Sequence, residues 1–256
     1  MTGPRLVKKV LKGTTTAPRS TAPAVPQAVY PHAGKDGTVT FVDNRAMTGR
    51  RSVGMGIDAS VTGLSVALVD AEGAYFIWRL TPKTKVSRQG EGKPYRLREI
   101  DEFLENRFRN IKAQSQVQHV CLEGYAFTSA MATTAGEVGG LVRLKLLKHF
   151  KEPVGFPTIP VPSQLKKFIT GSGKGDKNVI LKAVYKRWGL DVSDDNMADA
   201  FGLAKMALAI STGDTDYGYE ADVLAKLRPH SEWDQQSRLE MAADSPPARS
   251  RKTAAS

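Results

Sequence analysis

Arg51-Ser52-Val53-Gly54-Met55-Gly56-Ile57-Asp58 and Thr62-Gly63-Leu64-Ser65-Val66-Ala67-Leu68-Val69-Asp70 are apolar, β-rich runs separated by the turn-prone Ala59-Ser60-Val61. Ala74 to Leu80 follows after a short gap as a third strand. Three strands joined by short connections form two hairpins, hence an antiparallel meander. Arg96 to Ala113 then repeats apolar residues at Leu97, Ile100, Phe103, Leu104, Phe108 and Ile111, the spacing of one helical face. His119 to Gly124 reads as a short buried strand. Thr134 to Phe150 reads as a helix whose Gly136, Gly139 and Gly140 would let a neighbouring backbone come close. Phe156 to Val161 is a fifth strand ended by Pro162, and helices follow over Ser163 to Thr170, Lys177 to Trp188 and Asp195 to Ser211. A meander continued by strand–helix–strand crossovers predicts an α/β domain. Its sheet is mixed and five-stranded, three antiparallel strands continued by parallel ones, with helices on both faces.

The flanks differ in composition. Residues 1 to 50 are rich in Pro, Thr and Ala (Thr14-Thr15-Thr16-Ala17-Pro18, Ala22-Pro23-Ala24-Val25-Pro26) and show no periodicity, which reads as a disordered basic arm. The domain is expected over 51 to 212, followed by a C-terminal extension over 213 to 256, largely flexible after about residue 235. The net charge of +11 is concentrated: residues 1 to 51 hold nine Lys or Arg against two Asp, and residues 141 to 187 hold eleven against two acidic residues. Clustered cations release counterions from a phosphate backbone, so this distribution suits a nucleic-acid track. Cys121 is the sole cysteine, which excludes an intramolecular disulfide and an all-cysteine metal site and fits a reducing cytoplasm. Every apolar run falls far short of the roughly 20 residues a membrane-spanning helix needs, so no membrane is expected.

Three acidic positions stand out. Asp58 ends an apolar strand, where an ionised carboxylate is costly unless water, hydrogen bonds or a metal compensates it; the bland alternative is that Asp58 simply opens a turn. Glu123 repeats the situation after His119-Val120-Cys121-Leu122, with a solvated strand end as its alternative. In Ser193-Asp194-Asp195-Asn196-Met197-Ala198-Asp199-Ala200, Asp194 and Asp195 read equally well as helix caps. Asp199 lies a full turn further in, among apolar residues, and shares a helix face with Asp195 or with Asn196. Oxygen-rich clusters of this kind suit Mg²⁺ or Mn²⁺, and a two-ion site of carboxylates needs no side-chain nucleophile.

Four segments in order carry a family resemblance: Gly56-Ile57-Asp58-Ala59-Ser60 with Thr62-Gly63; Leu122-Glu123-Gly124-Tyr125-Ala126-Phe127; Pro162-Ser163-Gln164-Leu165-Lys166-Lys167 through Thr170-Gly171-Ser172-Gly173-Lys174; and Asn196-Met197-Ala198-Asp199-Ala200. Over residues 52 to 211 the chain resembles the RuvC family of Holliday junction resolvases, within the ribonuclease H-like superfamily. The small size and basic arm look more like a bacteriophage member. The resemblance implies a structure-selective DNA endonuclease that resolves four-way and other branched DNA as a homodimer. It would use two Mg²⁺ ions per site, with Mn²⁺ able to substitute, in the cytoplasm (the host's, if phage-encoded). It makes Asp58, Glu123 and Asp199 catalytic metal ligands. Where the family has Asp or His this chain has Asn196, so the fourth ligand is either Asn196 or Asp195. The junction-binding lysines map to Lys166, Lys167, Lys174 and Lys177, and Tyr125 and Phe127 are placed to stack on or wedge between bases. Two other classes compete. An actin-like ATPase or kinase also shows Gly-Ile-Asp and Thr-Gly after a strand but needs a second lobe, and a non-catalytic junction-binding protein is favoured only by Asn196.

Overall fold

The computed structural model describes residues 28–34, 37–44, 50–60, 63–85, 92–124, 132–152 and 154–227. In order, these form β1 (Ala28–Gly34), β2 (Gly37–Asp43), β3 (Arg51–Ser60), β4 (Gly63–Asp70), β5 (Tyr75–Thr81), α1 (Lys93–Gln114), β6 (Ser115–Leu122), α2 (Ala132–His149), α3 (Pro162–Thr170), α4 (Lys177–Trp188), α5 (Asp195–Thr212) and α6 (Gly218–Leu224). One mixed sheet runs β1-β2-β5-β4-β3-β6, antiparallel throughout except where β6 lies parallel to β3. The antiparallel meander and the parallel crossover through α1 are those the strand and helix pattern led one to expect, in a mixed α/β sheet.

Strand alternation divides the core in two. Val53, Met55, Ile57 and Ala59 of β3, with Leu64, Val66 and Leu68 of β4, pack against Ile100, Leu104 and Phe108 of α1 and Val142 and Leu146 of α2. The opposite face, carrying Ala67, Val69 and Ile77, packs against α5 through Ala200, Leu203, Ala204 and Ala207, and α3 and α4 complete this second layer. On β3 the residues pointing to α5 are Gly54, Gly56 and Asp58. A Cβ at Gly56 would run into the backbone of Ala200 and Ala204, and one at Gly54 into that of Ala204 and Leu208. The two glycines therefore form the seat on which α5 lies directly against β3, which aims Asp58 at the first turns of that helix.

Gly56→Ala is expected to lower the free energy of unfolding by about 1–3 kcal/mol in urea denaturation, because the added methyl meets backbone that cannot rotate away. Gly136→Ala is the contrast. A Cβ there meets nothing within 4 Å, so the change should be neutral or stabilising by up to about 1 kcal/mol.

The structure corrects three expectations. The arm read as disordered over 1 to 50 contains β1 and β2. The run Thr38-Val39-Thr40-Phe41-Val42 is β-branched and aromatic and pairs with β5, while Pro31 is tolerated because β1 is an edge strand. The fifth strand predicted over Phe156 to Val161 keeps its place beside β6 but is reduced to one parallel bridge, Cys121 with Thr158. Thr158 donates to Val120 O, and Leu122 and Gly124 donate to Thr158 O and Pro160 O, all at 2.9 Å. Pro157, Pro160 and Pro162 have no N–H with which to extend the ladder. Gly136 and Gly140 do not admit a neighbouring backbone of this chain, since both look onto open space. α6 was not anticipated. Residues 1–27 and 228–256 lie outside the described residues. Among those described, no helix is long and apolar enough to cross a membrane.

Candidate active site

Register places a polar row across the α5 face of the sheet: Asp58 pairs with Ser65, and Ser65 with Arg79. Asp58 is 2% exposed and Ser65 fully buried. Glu123 follows directly on β6, and its N–H donates to Ile57 O at 3.0 Å, which fixes it alongside Asp58. Asp199 comes from α5. That helix starts at Asp194, whose side chain accepts from Met197 N at 3.2 Å, so Asp194 is the cap and Asp199 stands one turn further in. Three carboxylates from three elements thus meet at one end of the sheet.

Their electrostatics are unfavourable as they stand. Burial raises the Asp58 carboxyl well above its ordinary range, and the nearby charges of Glu123 and Asp199 push the same way, against the pull of Arg79. Burial also raises Glu123, which is hydrogen-bonded to Asp58 and is drawn back by Lys166. Asp199 is raised to about 7 by burial and then by Glu123 and Asp195, partly offset by Lys166 and Lys177. The hydroxyl of Ser65 is buried without a hydrogen-bond partner. Among the described residues no three His, Cys, Asp or Glu side chains stand arranged to hold a metal ion; Asp58 and Glu123 instead bond to each other. The donor set, hard oxygens with too little positive charge and an orphaned hydroxyl beside them, nonetheless fits a Mg²⁺ or Mn²⁺ ion and its waters.

Asn196 and Asp195 are both engaged elsewhere. With its carboxamide nitrogen turned toward Asp58, Asn196 donates to Asp58 Oδ2 at 2.9 Å and accepts from Arg79 Nη2 at 2.6 Å; the reverse orientation would set oxygen against oxygen. Asp195 is ion-paired with Lys177. Arg79 was missed by the sequence reading. It is 6% exposed, donates through Nε to Asp194 Oδ2 at 3.2 Å and through Nη1 to Leu80 O at 3.3 Å, and braces both the cap of α5 and Asn196. Its signal was an arginine on the core-facing phase of Tyr75-Phe76-Ile77-Trp78-Arg79. Gly63 makes room for it, since a Cβ at that position would collide with Arg79 Nη1. Arg79→Lys keeps the charge but loses the planar fork. Titration calorimetry is expected to show Mn²⁺ affinity lower by about 10–100-fold, the usual cost of losing a side chain that orients a ligand.

Of the predicted cations, Lys166 lies near enough to offset the charge of Glu123 and Asp199, and Lys177 that of Asp199. Lys166 Nζ also donates to Gly175 O at 3.0 Å. Because α3 buries Leu165, Phe168 and Ile169, Lys166 and Lys167 emerge on its flanks, and Lys167 turns to Asp222 of α6 at 3.5 Å. Lys174 is exposed on the glycine-rich loop. Tyr125 and Phe127 lie outside the described residues.

No family model matches the chain, and no curated protein matches it. Among solved structures, the chain is similar to Thermus thermophilus RuvC, with 22% identity, a TM-score of 0.46, and coverage of 63% of this chain and 96% of that one. It is likewise similar to T. thermophilus RuvC in complex with Holliday junction substrate, with 22% identity, a TM-score of 0.45 and the same coverage.

Proposed function

We propose that the protein is a Mg²⁺-dependent, structure-selective DNA endonuclease of the cytoplasm that resolves four-way junctions and related branched DNA. The observation that carries this reading is the convergence of buried Asp58 with partly buried Glu123 and Asp199, short of positive charge, beside the orphaned Ser65 hydroxyl. Asp58, Glu123 and Asp199 would hold the metal, with two ions per site as the working expectation. The bound metal would supply a water nucleophile at neutral pH and neutralise the leaving oxygen of an in-line displacement. The remaining work belongs to the chain. Lys166, Lys174 and Lys177 offer cations to the flanking phosphates, while Arg79 and Asn196 hold Asp58 and the start of α5 in place. Tyr125 and Phe127 would meet unpaired bases at the branch point.

A homodimer would set two such sites on symmetric strands. Gly136, Gly140, Leu144 and Leu147 fall on one face of α2, and Leu144 and Leu147 are 67% and 45% exposed. That stripe is the proposed contact. The actin-like alternative loses ground because the described residues build one sheet and no second lobe.

The test is incubation of purified protein with end-labelled four-way junction, forked and plain duplex DNA in Mg²⁺, Mn²⁺ or EDTA. Paired symmetric nicks on the junction, absent in EDTA, are expected. Tight junction binding without cleavage in either metal would replace the nuclease with a non-catalytic binder.

A further inference from the structure

Lys177 has two claims on it. It is one of the cations that would meet the flanking phosphates, yet its ammonium is ion-paired with Asp195 of α5. Lys177 opens α4 directly behind the capping Asp176, where a cation faces the positive end of the helix dipole and is locally unfavourable. The partner that compensates it comes from another helix. The Lys177 side chain is 76% exposed, so a phosphate oxygen can reach the ammonium without disturbing the fold, while that of Asp195 is 28% exposed. Asp195 and Asp199 stand four residues apart on α5 and share a face. The charge of Asp195 therefore bears on the site: it raises both Asp199 and Glu123, and Lys177 offsets it at Asp199. Lys166 donates to the neutral Gly175 O at 3.0 Å, whereas Lys177 can turn to a phosphate only by leaving a carboxylate uncovered.

A backbone phosphate and Asp195 thus compete for one ammonium. We propose that, given the metal-dependent nuclease reading on which this rests, the Lys177–Asp195 pair is a latch that DNA releases: phosphate takes Lys177, and the uncovered Asp195 adds its charge to that of Asp199 and strengthens metal binding on the occupied enzyme. The coupling is reciprocal, since linkage requires metal to favour DNA as much as DNA favours metal. Its size is that of an exposed ion pair, about two- to fivefold in affinity. The latch loads metal preferentially onto enzyme that already holds its substrate.

The experiment is a double-mutant cycle on the full chain over Lys177→Met and Asp195→Asn, read in two ways. In the first, free Mn²⁺ is followed by electron paramagnetic resonance during a titration without DNA. Lys177→Met should bind Mn²⁺ about two- to fivefold tighter than the wild type, and this gain should be lost in the Asp195→Asn background. In the second, four-way junction binding is measured by fluorescence anisotropy in EDTA. Asp195→Asn should tighten binding by a similar factor, and only while Lys177 is present. A gain from either substitution that persists in the double mutant would mean that each side chain acts as bulk charge, which overturns the latch. Equal Mn²⁺ affinity in the wild type and all the variants overturns it as well and leaves the nuclease reading standing. Mn²⁺ bound by none of them overturns that reading together with the latch.

Discussion

Asp58→Asn is expected to lower junction cleavage by about a hundredfold or more while leaving junction binding intact. Losing a side chain that merely orients a metal ligand typically costs 10–100-fold, so losing a ligand should cost at least the upper end of that range. The substitution is nearly isosteric and replaces a buried, mutually repelling carboxyl, so the fold should tolerate it. Removing a negative charge beside the phosphate track should, if anything, tighten binding at low salt. The measurement pairs a cleavage time course in Mg²⁺ with a gel-shift titration in EDTA. Cleavage at the wild-type rate would remove Asp58 from the mechanism, and loss of binding together with cleavage would point to a folding defect instead.

The second large effect concerns stability and its sign with pH. Asp199 has an ordinary value of 3.8 and is raised to about 7 in the folded chain. Below pH 4 it is protonated in both folded and unfolded states and has no effect. Between about pH 4 and 7 the unfolded chain releases the proton while the folded chain keeps it, so folding becomes progressively less favourable as pH rises. Above about 7 the full cost stands, roughly 4 kcal/mol at most. In metal-free buffer, Asp199→Asn should therefore raise the melting temperature at pH 8 and change it little at pH 4. Mg²⁺ favours the ionised carboxylates, so its addition should stabilise the wild type more at pH 8 than at pH 5, and the Asn variant less than the wild type. A variant melting at the same temperature as the wild type at pH 8 without metal would mean that Asp199 is not held in a costly environment.

Local pattern made most of the elements legible. The apolar runs of β3, β4 and β5, the helical spacing of α1 and the apolar stretch of α5 lie within a few residues of their expected bounds, because α1 buries one face while β3, β4 and α5 are covered on nearly every side, and apolar content records both. β1 and β2 were hidden by neighbouring Pro, Thr and Ala. The run that makes β2, Thr38 to Val42, is short and becomes a strand through its pairing with β5. Phe156 to Val161 erred in the other direction: its apolar residues read as a strand, while its two prolines, with Pro162 directly after, limit the ladder to a few bonds.

The candidate site divides along the same line. Asp58, Glu123 and Asp199 were visible from sequence alone because a carboxylate among apolar neighbours is costly wherever it stands, and that cost is a property of the local stretch. Arg79 and Ser65 were not singled out, since an arginine and a serine in a strand are unremarkable until register sets them in one row with Asp58. The lysines could be listed from the α3 segment and its loop, but which of them face the carboxylates follows from how α3 packs beside α5 and from Asp222 drawing Lys167 away. The roles of Asn196 and Asp195 also waited on the fold, because a partner across the sheet, Arg79, holds the oxygen of one and Lys177 holds the other. What the sequence determined by itself was the kind and order of the elements from β3 to α5, apart from the strand expected over 156 to 161, and the presence of three costly carboxylates, since apolar pattern and desolvation act within short stretches of chain. Only the tertiary structure decided which groups surround those carboxylates, because hydrogen bonds and ion pairs between residues tens of positions apart exist only once register and helix packing have brought them together.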